Sequence, residues 1–154
     1  MLKICLVSDN HGVMTSLKKI LSDNPMCDYY FHLGDSCMTD KDIEPFISVE
    51  GNCDYFDFPK ERIVEIKNHR ILMIHGNGYT WSMNAFVDKA KKEKVDTVFF
   101  GHTHIFMDDY YNGIRFINPG SIYNNRDLTP PCYAIVTIGD DDQIKVERIN
   151  LYNS

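Results

Sequence analysis

Several short apolar runs in this chain end in a glycine-containing loop that carries aspartate, asparagine or histidine. The loops are Ser8-Asp9-Asn10-His11-Gly12, Gly34-Asp35, Gly51-Asn52-Cys53-Asp54, His75-Gly76 and Gly101-His102-Thr103-His104. Where strands run parallel, their carboxyl ends share one edge of the sheet, and ligands gather at that edge. Glycine lets the backbone turn sharply there and approach a neighbour closely. The pattern therefore predicts a fold in which several strand ends converge on one point.

The segments between these loops carry the periodicities that assign them. Leu2–Val7 is continuously apolar and reads as a buried strand. Val13–Leu21 places Val13, Leu17, Ile20 and Leu21 at helical spacing, with Pro25 just beyond. Tyr29–Leu33 and Ile47–Glu50 read as strands, with a short helix at Met38–Phe46 between them. Arg62–Lys67 and Ile71–Ile74 read as a hairpin turning at Asn68-His69. Ser82–Lys94 is a helix with Phe86, Val87 and Ala90 on its apolar face. Thr97–Phe100 is a buried strand, and Ile105–Tyr111 and Ile114–Asn118 flank the turn Asn112-Gly113. Tyr133–Ile138 and Gln143–Leu151 make a last hairpin. Strand–helix alternation followed by antiparallel hairpins predicts an α/β chain of two packed sheets flanked by helices.

At 154 residues, with no repeat, low-complexity tract or linker, the chain is expected to be a single domain over 1–154. No apolar run approaches the ~20 residues that cross a bilayer, and the first residues pass directly into a strand rather than a signal peptide. A cytoplasmic protein with no membrane partner is the expectation. Cys5, Cys27, Cys37, Cys53 and Cys132 are odd in number and irregularly spaced, with no C-x-x-C pair, as reduced thiols are. The formal charge of −6 argues against nucleic acid as the main partner. It leaves room for a small phosphorylated substrate, because a metal site supplies local positive charge, and it is compatible with a homo-oligomer.

The loop residues are metal-ligand types. Oxygen and imidazole donors without thiolate suit Mn²⁺, Fe, Co²⁺, Ni²⁺ or Zn²⁺. Two divalent ions about 3.5–4 Å apart need a bridging carboxylate and further ligands each. Asp9, His11, Asp35, Asn52, His75, His102 and His104 fill that requirement if one aspartate bridges. Taken singly, each loop has a plainer reading: Asp-x-His as a turn with a helix cap, Gly-Asp as a common turn, His75 as a structural histidine at a strand end. The metal reading rests on all of them occurring in order, each at a strand end. Outside this set, His32 reads as a core residue, His69 as an exposed turn residue and Arg126 as a solvated loop side chain or a phosphate contact. Tyr79, Trp81 and Tyr123 read as packing residues that could stack on an aryl or nucleoside group.

The order D-x-H, G-D, G-N-x-D, H-G, G-H-x-H, followed by Asn118-Pro119-Gly120-Ser121, resembles the signature of the calcineurin-like metallophosphoesterase superfamily. Within it, the chain is most similar to the small single-domain bacterial and archaeal phosphodiesterase branch, whose eukaryotic relative is the retromer subunit Vps29. The resemblance implies a four-layer α/β/β/α sandwich with two mixed sheets and two divalent ions, Mn²⁺ first among them. It implies that Asp9, His11, Asp35 and His104 bind one ion, and that Asp35 bridges to a second held by Asn52, His75 and His102. A water or hydroxide held between the ions would attack phosphorus in line. Asp35, Asn52, Cys53, Asp54 and His75 would lie nearest the reaction, with Asp54 orienting its neighbour or a water. Two departures stand out: Cys53 and Asn77 occupy positions where larger or other relatives carry histidine. A thiol is a weaker acid than imidazolium at neutral pH, so modest catalysis, best on phosphodiesters with good leaving groups, is implied. The alternative is a Vps29-like docking scaffold that retains a metal site.

Overall fold

Ile4 and Leu6 face one side of strand β1 (Leu2–Val7), Cys5 and Val7 face the other, and none of them has exposed surface. A strand with apolar side chains buried on both faces needs a layer above and a layer below. The computed structural model, which describes residues 1–152, supplies both. After β1 come α1 (Met14–Asp23), β2 (Tyr29–His32), β3 (Ile47–Ser48), β4 (Glu61–Ile66), β5 (His69–Ile74), α2 (Met83–Lys92), β6 (Thr97–Phe99), β7 (Met107–Tyr111), β8 (Ile114–Asn118), β9 (Cys132–Ile138) and β10 (Ile144–Asn150).

The strands form two five-stranded mixed sheets, ordered β10-β9-β1-β2-β3 and β4-β5-β6-β8-β7. In the first, β1, β2 and β3 are parallel and β9 and β10 antiparallel. In the second, β5, β6 and β8 are parallel, with β4 and β7 antiparallel at the edges. Ile4, Leu6, Phe31 and Leu33 of the first sheet meet Ile71, Met73, Phe99 and Ile117 of the second in one buried cluster. Helix α1 lays Leu17 and Ile20 over Cys5 and Val7. Helix α2 lays Phe86, Val87 and Ala90 over Leu72, Ile74, Val98 and Phe116. The result is the expected α/β/β/α sandwich.

Local chemistry explains the helix ends. Ser82 caps α2 by accepting from the Ala85 N–H, and Lys89, Lys91 and Lys92 in its last turn complement the helix dipole. The helix expected at Met38–Phe46 does not form; residues 40–45 are turns. Pro45 has no N–H to continue a helix, and Thr39 and Asp42 bond each other's backbone instead. The hairpin between β4 and β5 turns one residue earlier than expected, at Lys67-Asn68, with Lys67 at φ 53° and His69 paired to Ile66. His69 is consequently not an exposed turn residue. Its Nδ1 faces the Asp96 carboxylate, and its Nε2 lies 2.7 Å from the Asp142 carbonyl. Lys67 and Asn68 also reach Asp140 and Asp142, so the β4–β5 and β9–β10 hairpins are tied together at one end of the sandwich.

Candidate metal centre

At the opposite end, the parallel strands of both sheets deliver their carboxyl ends to one place. β1 leads to Asp9 and His11, β2 to Asp35 and the segment after β3 to Asn52. From the second sheet, β5 leads to His75 and β6 to His102 and His104. The structure brings all of these residues together.

The Oδ1 atom of Asp9 lies 3.3 Å from His104 Nε2, 3.7 Å from His11 Nε2 and 3.8 Å from His75 Nε2. His75 Nε2 is also 3.2 Å from Asp35 Oδ2, and His102 Nδ1 is 3.1 Å from Asn52 Oδ1. Candidate ligand atoms of Asp9, His11 and His104 lie within 4.8 Å of one another, as do those of Asp9, Asp35 and His75, and those of His11, Asp35 and Cys53. Asp35 thus stands between the His11 side and the His75 side.

Two atoms in this cluster test whether it suits a cation. Asp9 Oδ1 and His75 Nε2 are fully buried and have no hydrogen-bond partner. Leaving a charged acceptor buried and unpaired costs about 1–3 kcal/mol or more, and both atoms point to where ligands converge. The imidazoles are oriented for the same task. His75 Nδ1 donates to the Leu33 carbonyl at 2.6 Å, and His104 Nδ1 donates to the Asn124 carbonyl at 2.7 Å. A carbonyl only accepts, so the proton sits on Nδ1 and the Nε2 lone pair faces inward, the arrangement metal-binding histidines use. Asn52 turns its Oδ1 to His102 and its Nδ2 to the Cys53 sulfur. The residues present fit divalent ions.

The backbone holds this arrangement against strain. Asp9, His11, Asp35, His102 and His104 all have φ between 46° and 68°, a left-handed conformation that costs side-chain-bearing residues energy. Gly51 and Gly101 allow the loops to close in. A Cβ on Gly51 would lie 2.1 Å from Asp35 Oδ1 and 2.4 Å from the Asp35 nitrogen, and one on Gly101 would lie 2.1 Å from Ser8 Oγ.

Charge follows geometry. Burial pushes the Asp9 carboxyl up, but His104, His11, His75 and the Ser8 hydroxyl outweigh it and hold the group well below the usual carboxylate range. Asp35 is likewise lowered, burial being outweighed by His75 and by the Cys53 N–H at 2.8 Å. The neighbouring Asp9 carboxylate raises His11; His75 is raised by Asp35 and Asp9 in spite of burial. His102 is lowered, by burial first and then by its neighbour His75, whose protonation would oppose its own.

Around the ligands stand residues that position them. The Asp54 carboxylate is taken up by backbone: it accepts from the N–H groups of Asp35 (3.0 Å), Gly51 (2.7 Å) and Cys37 (2.9 Å). It fastens the Asp35 loop to the Asn52 loop. The Cys53 thiol is exposed, and burial and the Asp35 and Asp54 carboxylates keep its pKa raised. His32 is a core residue as expected: Nε2 donates to Asn10 Oδ1 at 2.8 Å, Nδ1 accepts from Gly34, and burial pushes its pKa down to about 4. The sequence did not mark Asn10, Ser8 or Ser121 for these roles. Ser121 Oγ donates to the Asp9 carbonyl at 2.8 Å, and Asn118 Nδ2 donates to the Gly101 carbonyl at 2.9 Å. The Asn-Pro-Gly-Ser element was the available signal, because it too follows a parallel strand, β8.

The aromatic residues divide. Tyr79 packs, stacked on Phe86. Trp81 and Tyr123 do not: they are 78% and 54% exposed. A cavity of about 370 Å³ opens beside Asn52, lined by Gly51, Asp54, Lys60, Ile74, Asn77 and Tyr79 among others.

The chain is similar to known proteins along almost all of its length. A family model for the calcineurin-like phosphoesterase superfamily domain matches residues 2–141. The "Probable metallophosphoesterase YsnB" of Bacillus subtilis (strain 168) is 32% identical over 146 residues, covering 91% of this chain and 86% of that protein. A conserved uncharacterized protein of Streptococcus pneumoniae TIGR4, described as a predicted phosphoesterase, has a crystal structure that matches with TM-score 0.88 at 27% identity, covering 97% of this chain and 90% of that one. A structure described as that of a novel archaeal phosphodiesterase matches with TM-score 0.73 over 96% of this chain and 100% of that one. At 19% identity this last likeness is one of fold alone.

Proposed function

This chain belongs to the calcineurin-like phosphoesterase superfamily, and from that premise we propose that it is a phosphodiesterase working through a pair of divalent ions, Mn²⁺ first among them. The observation that carries the reading is the pair of buried, partnerless atoms, Asp9 Oδ1 and His75 Nε2, where donors from both sheets meet. When bound, two divalent ions supply positive charge for phosphoryl oxygens and an activated water for in-line displacement.

The chain's own residues do the rest. Asp9, His11 and His104 would hold one ion; His75, His102 and Asn52 the other; and Asp35 would span them. Asn52, being neutral, keeps the centre net positive for an anionic substrate. The Nδ1 donors of His75 and His104 fix those rings before substrate arrives, so little reorganisation accompanies the reaction. Asp54 serves as a positioning residue for Asp35 and Asn52. The cavity beside Asn52 gives the departing group a place to lie, with Asn77 on its wall. The exposed Cys53 thiol next to Asn52 in the chain has a raised pKa and is a weak acid, which favours diesters whose leaving groups need no protonation.

A docking scaffold freed from catalysis would have no need of this complete donor set. No helix among the described residues is long and apolar enough to cross a membrane, and a cytoplasmic site of action fits the free cysteines. The test is direct. Protein stripped of metal and resupplied with Mn²⁺ is expected to hydrolyse an activated aryl phosphodiester, and Asp35→Asn to lose most of that activity. Absence of turnover with each of Mn²⁺, Co²⁺, Ni²⁺ and Zn²⁺ overturns the proposal in favour of the scaffold. Elemental analysis showing clearly fewer than two ions per chain overturns the paired centre.

A further inference from the structure

Beside His11 and His104 the surface is neither polar nor packed away. Ile105 is 41% exposed and Tyr123 54%, and they come from two loops, the one after β6 and the one after β8. A hydrogen bond from the Arg126 N–H to the His104 carbonyl, 3.0 Å, stitches these loops together. The Tyr123 ring lies 5.7 Å from the His11 ring, tilted by 47°. Its backbone is not loose. The Tyr123 and Asn124 N–H groups both donate to Ser121 Oγ at 3.0 Å, and that hydroxyl donates onward to the Asp9 carbonyl. An exposed aromatic face is therefore held at a set distance from candidate ligands by the same serine that steadies one of them.

A cation stands in the same segment. Of the arginines, Arg70 pairs with Glu65, Arg115 is bidentate on Asp108, Arg62 donates to the Ser48 carbonyl, and Arg148 lies over the Phe106 ring. Arg126 is exposed and pairs with no carboxylate among the described residues. An aromatic face beside the candidate centre and an unpaired guanidinium on the same short segment are a pair of complementary groups. The planar face stacks on a ring, as bases do on tyrosine, and the guanidinium forks onto phosphoryl oxygens.

We propose that residues 123–126 form the substrate-recognition wall of the centre, with Arg126 contacting a non-bridging phosphoryl oxygen and Tyr123 stacking on a planar group one bond system away from phosphorus. The substrate class is then a small phosphodiester that carries a nucleobase or similar ring on the group that stays behind. The acidic surface keeps long polyanions off, which confines the class to mononucleotide-sized molecules. This inference rests on the phosphodiesterase reading above.

The experiment compares two diesters that release the same p-nitrophenol, a thymidine 5′-(p-nitrophenyl phosphate) and methyl p-nitrophenyl phosphate, on the Mn²⁺-loaded full chain. The leaving group is constant, so any preference reports the retained group. Wild type is expected to favour the nucleoside diester about tenfold or more in kcat/KM, chiefly through KM. Tyr123→Ala removes the preference and Tyr123→Phe keeps it. Arg126→Gln lowers kcat/KM for both substrates about tenfold to a hundredfold, and Arg126→Lys restores part of it. Equal rates on the two substrates, or an unchanged Arg126→Gln, overturn the inference while leaving the phosphodiesterase reading intact. Calorimetric binding of thymidine 5′-monophosphate against methyl phosphate, in wild type and Tyr123→Ala, reads the same wall without turnover. If no substrate is hydrolysed but that preference is present and lost in Tyr123→Ala, the wall stands and the reaction assignment falls; equal binding overturns the wall.

Discussion

Replacing Asp9 by asparagine separates a ligand from a structural aspartate, because the two roles predict opposite responses to metal. In wild type the buried Oδ1 carries charge and has no partner, at a cost of about 1–3 kcal/mol or more. Asparagine keeps an oxygen for the Ser8 hydroxyl and the His102 N–H. It places an NH₂ where Oδ1 stood, 3.3 Å from His104 Nε2, whose lone pair faces it. Without metal, at a pH above the raised values of His11 and His75 so that these imidazoles are neutral, Asp9→Asn is expected to be at least as stable as wild type. With metal the order reverses. Mn²⁺ at 100 times its dissociation constant stabilises the native state by about 2.7 kcal/mol, and for a chain of this size each kcal/mol moves Tm by about 2–4 °C. Wild type should therefore gain about 5–11 °C between excess chelator and Mn²⁺, and Asp9→Asn should gain clearly less. Differential scanning calorimetry of both proteins in both conditions gives the four values. If the variant is lower by the same amount with and without metal, Asp9 is a structural residue and the argument from orphaned atoms is wrong.

Gly51→Ala should destabilise the protein by about 1–3 kcal/mol and cut activity more than tenfold, since the new Cβ meets the Asp35 nitrogen at 2.4 Å and backbone cannot step aside; wild-type values in denaturant titration and kinetics would contradict this. Asp54→Asn touches no reacting atom, yet a single amide oxygen cannot accept all three N–H groups, so a loss of roughly 2–3 kcal/mol and of metal affinity is expected, readable by urea unfolding and Mn²⁺ titration. His32 supplies a pH signature. Its folded pKa of about 4 lies below the unfolded value, so the unfolded chain binds the extra proton between the two. Its contribution is complete above the unfolded pKa and is lost as pH falls, by about 2 kcal/mol at pH 5. The wild-type stability measured relative to His32→Gln, in chelator, should fall by that amount between pH 7 and pH 5; a flat difference refutes the assignment.

Periodicity located nearly every strand and both helices, because their apolar faces are buried on sheets and leave a plain pattern. It failed at Met38–Phe46, where Ile43 and Phe46 are buried at helical spacing but Pro45 and the Thr39–Asp42 exchange leave only turns. The turn at Lys67-Asn68 was misplaced by one residue because lysine carries no turn signal, although here it adopts positive φ. The convergence of the candidate ligands was legible because each sits at a strand end, where sequence order maps directly onto one edge. The supporting contacts of Asn10, Ser8 and Ser121 were not, since a serine that bonds a distant carbonyl looks like any loop serine. Exposure was equally hidden: Tyr79 and Trp81 lie two residues apart, and only the structure shows one packed on Phe86 and the other in solvent.

Neither sheet holds a centre of its own. Asp9, His11, Asp35 and Asn52 hang from one, and His75, His102 and His104 from the other. At the far end the sandwich is closed by the paired hairpins around Lys67 and Asp140. A chain with one sheet peeled away, or a fragment that keeps only one, would retain only part of this donor set. Metal uptake in such a molecule would be a gauge of whether the two halves have docked.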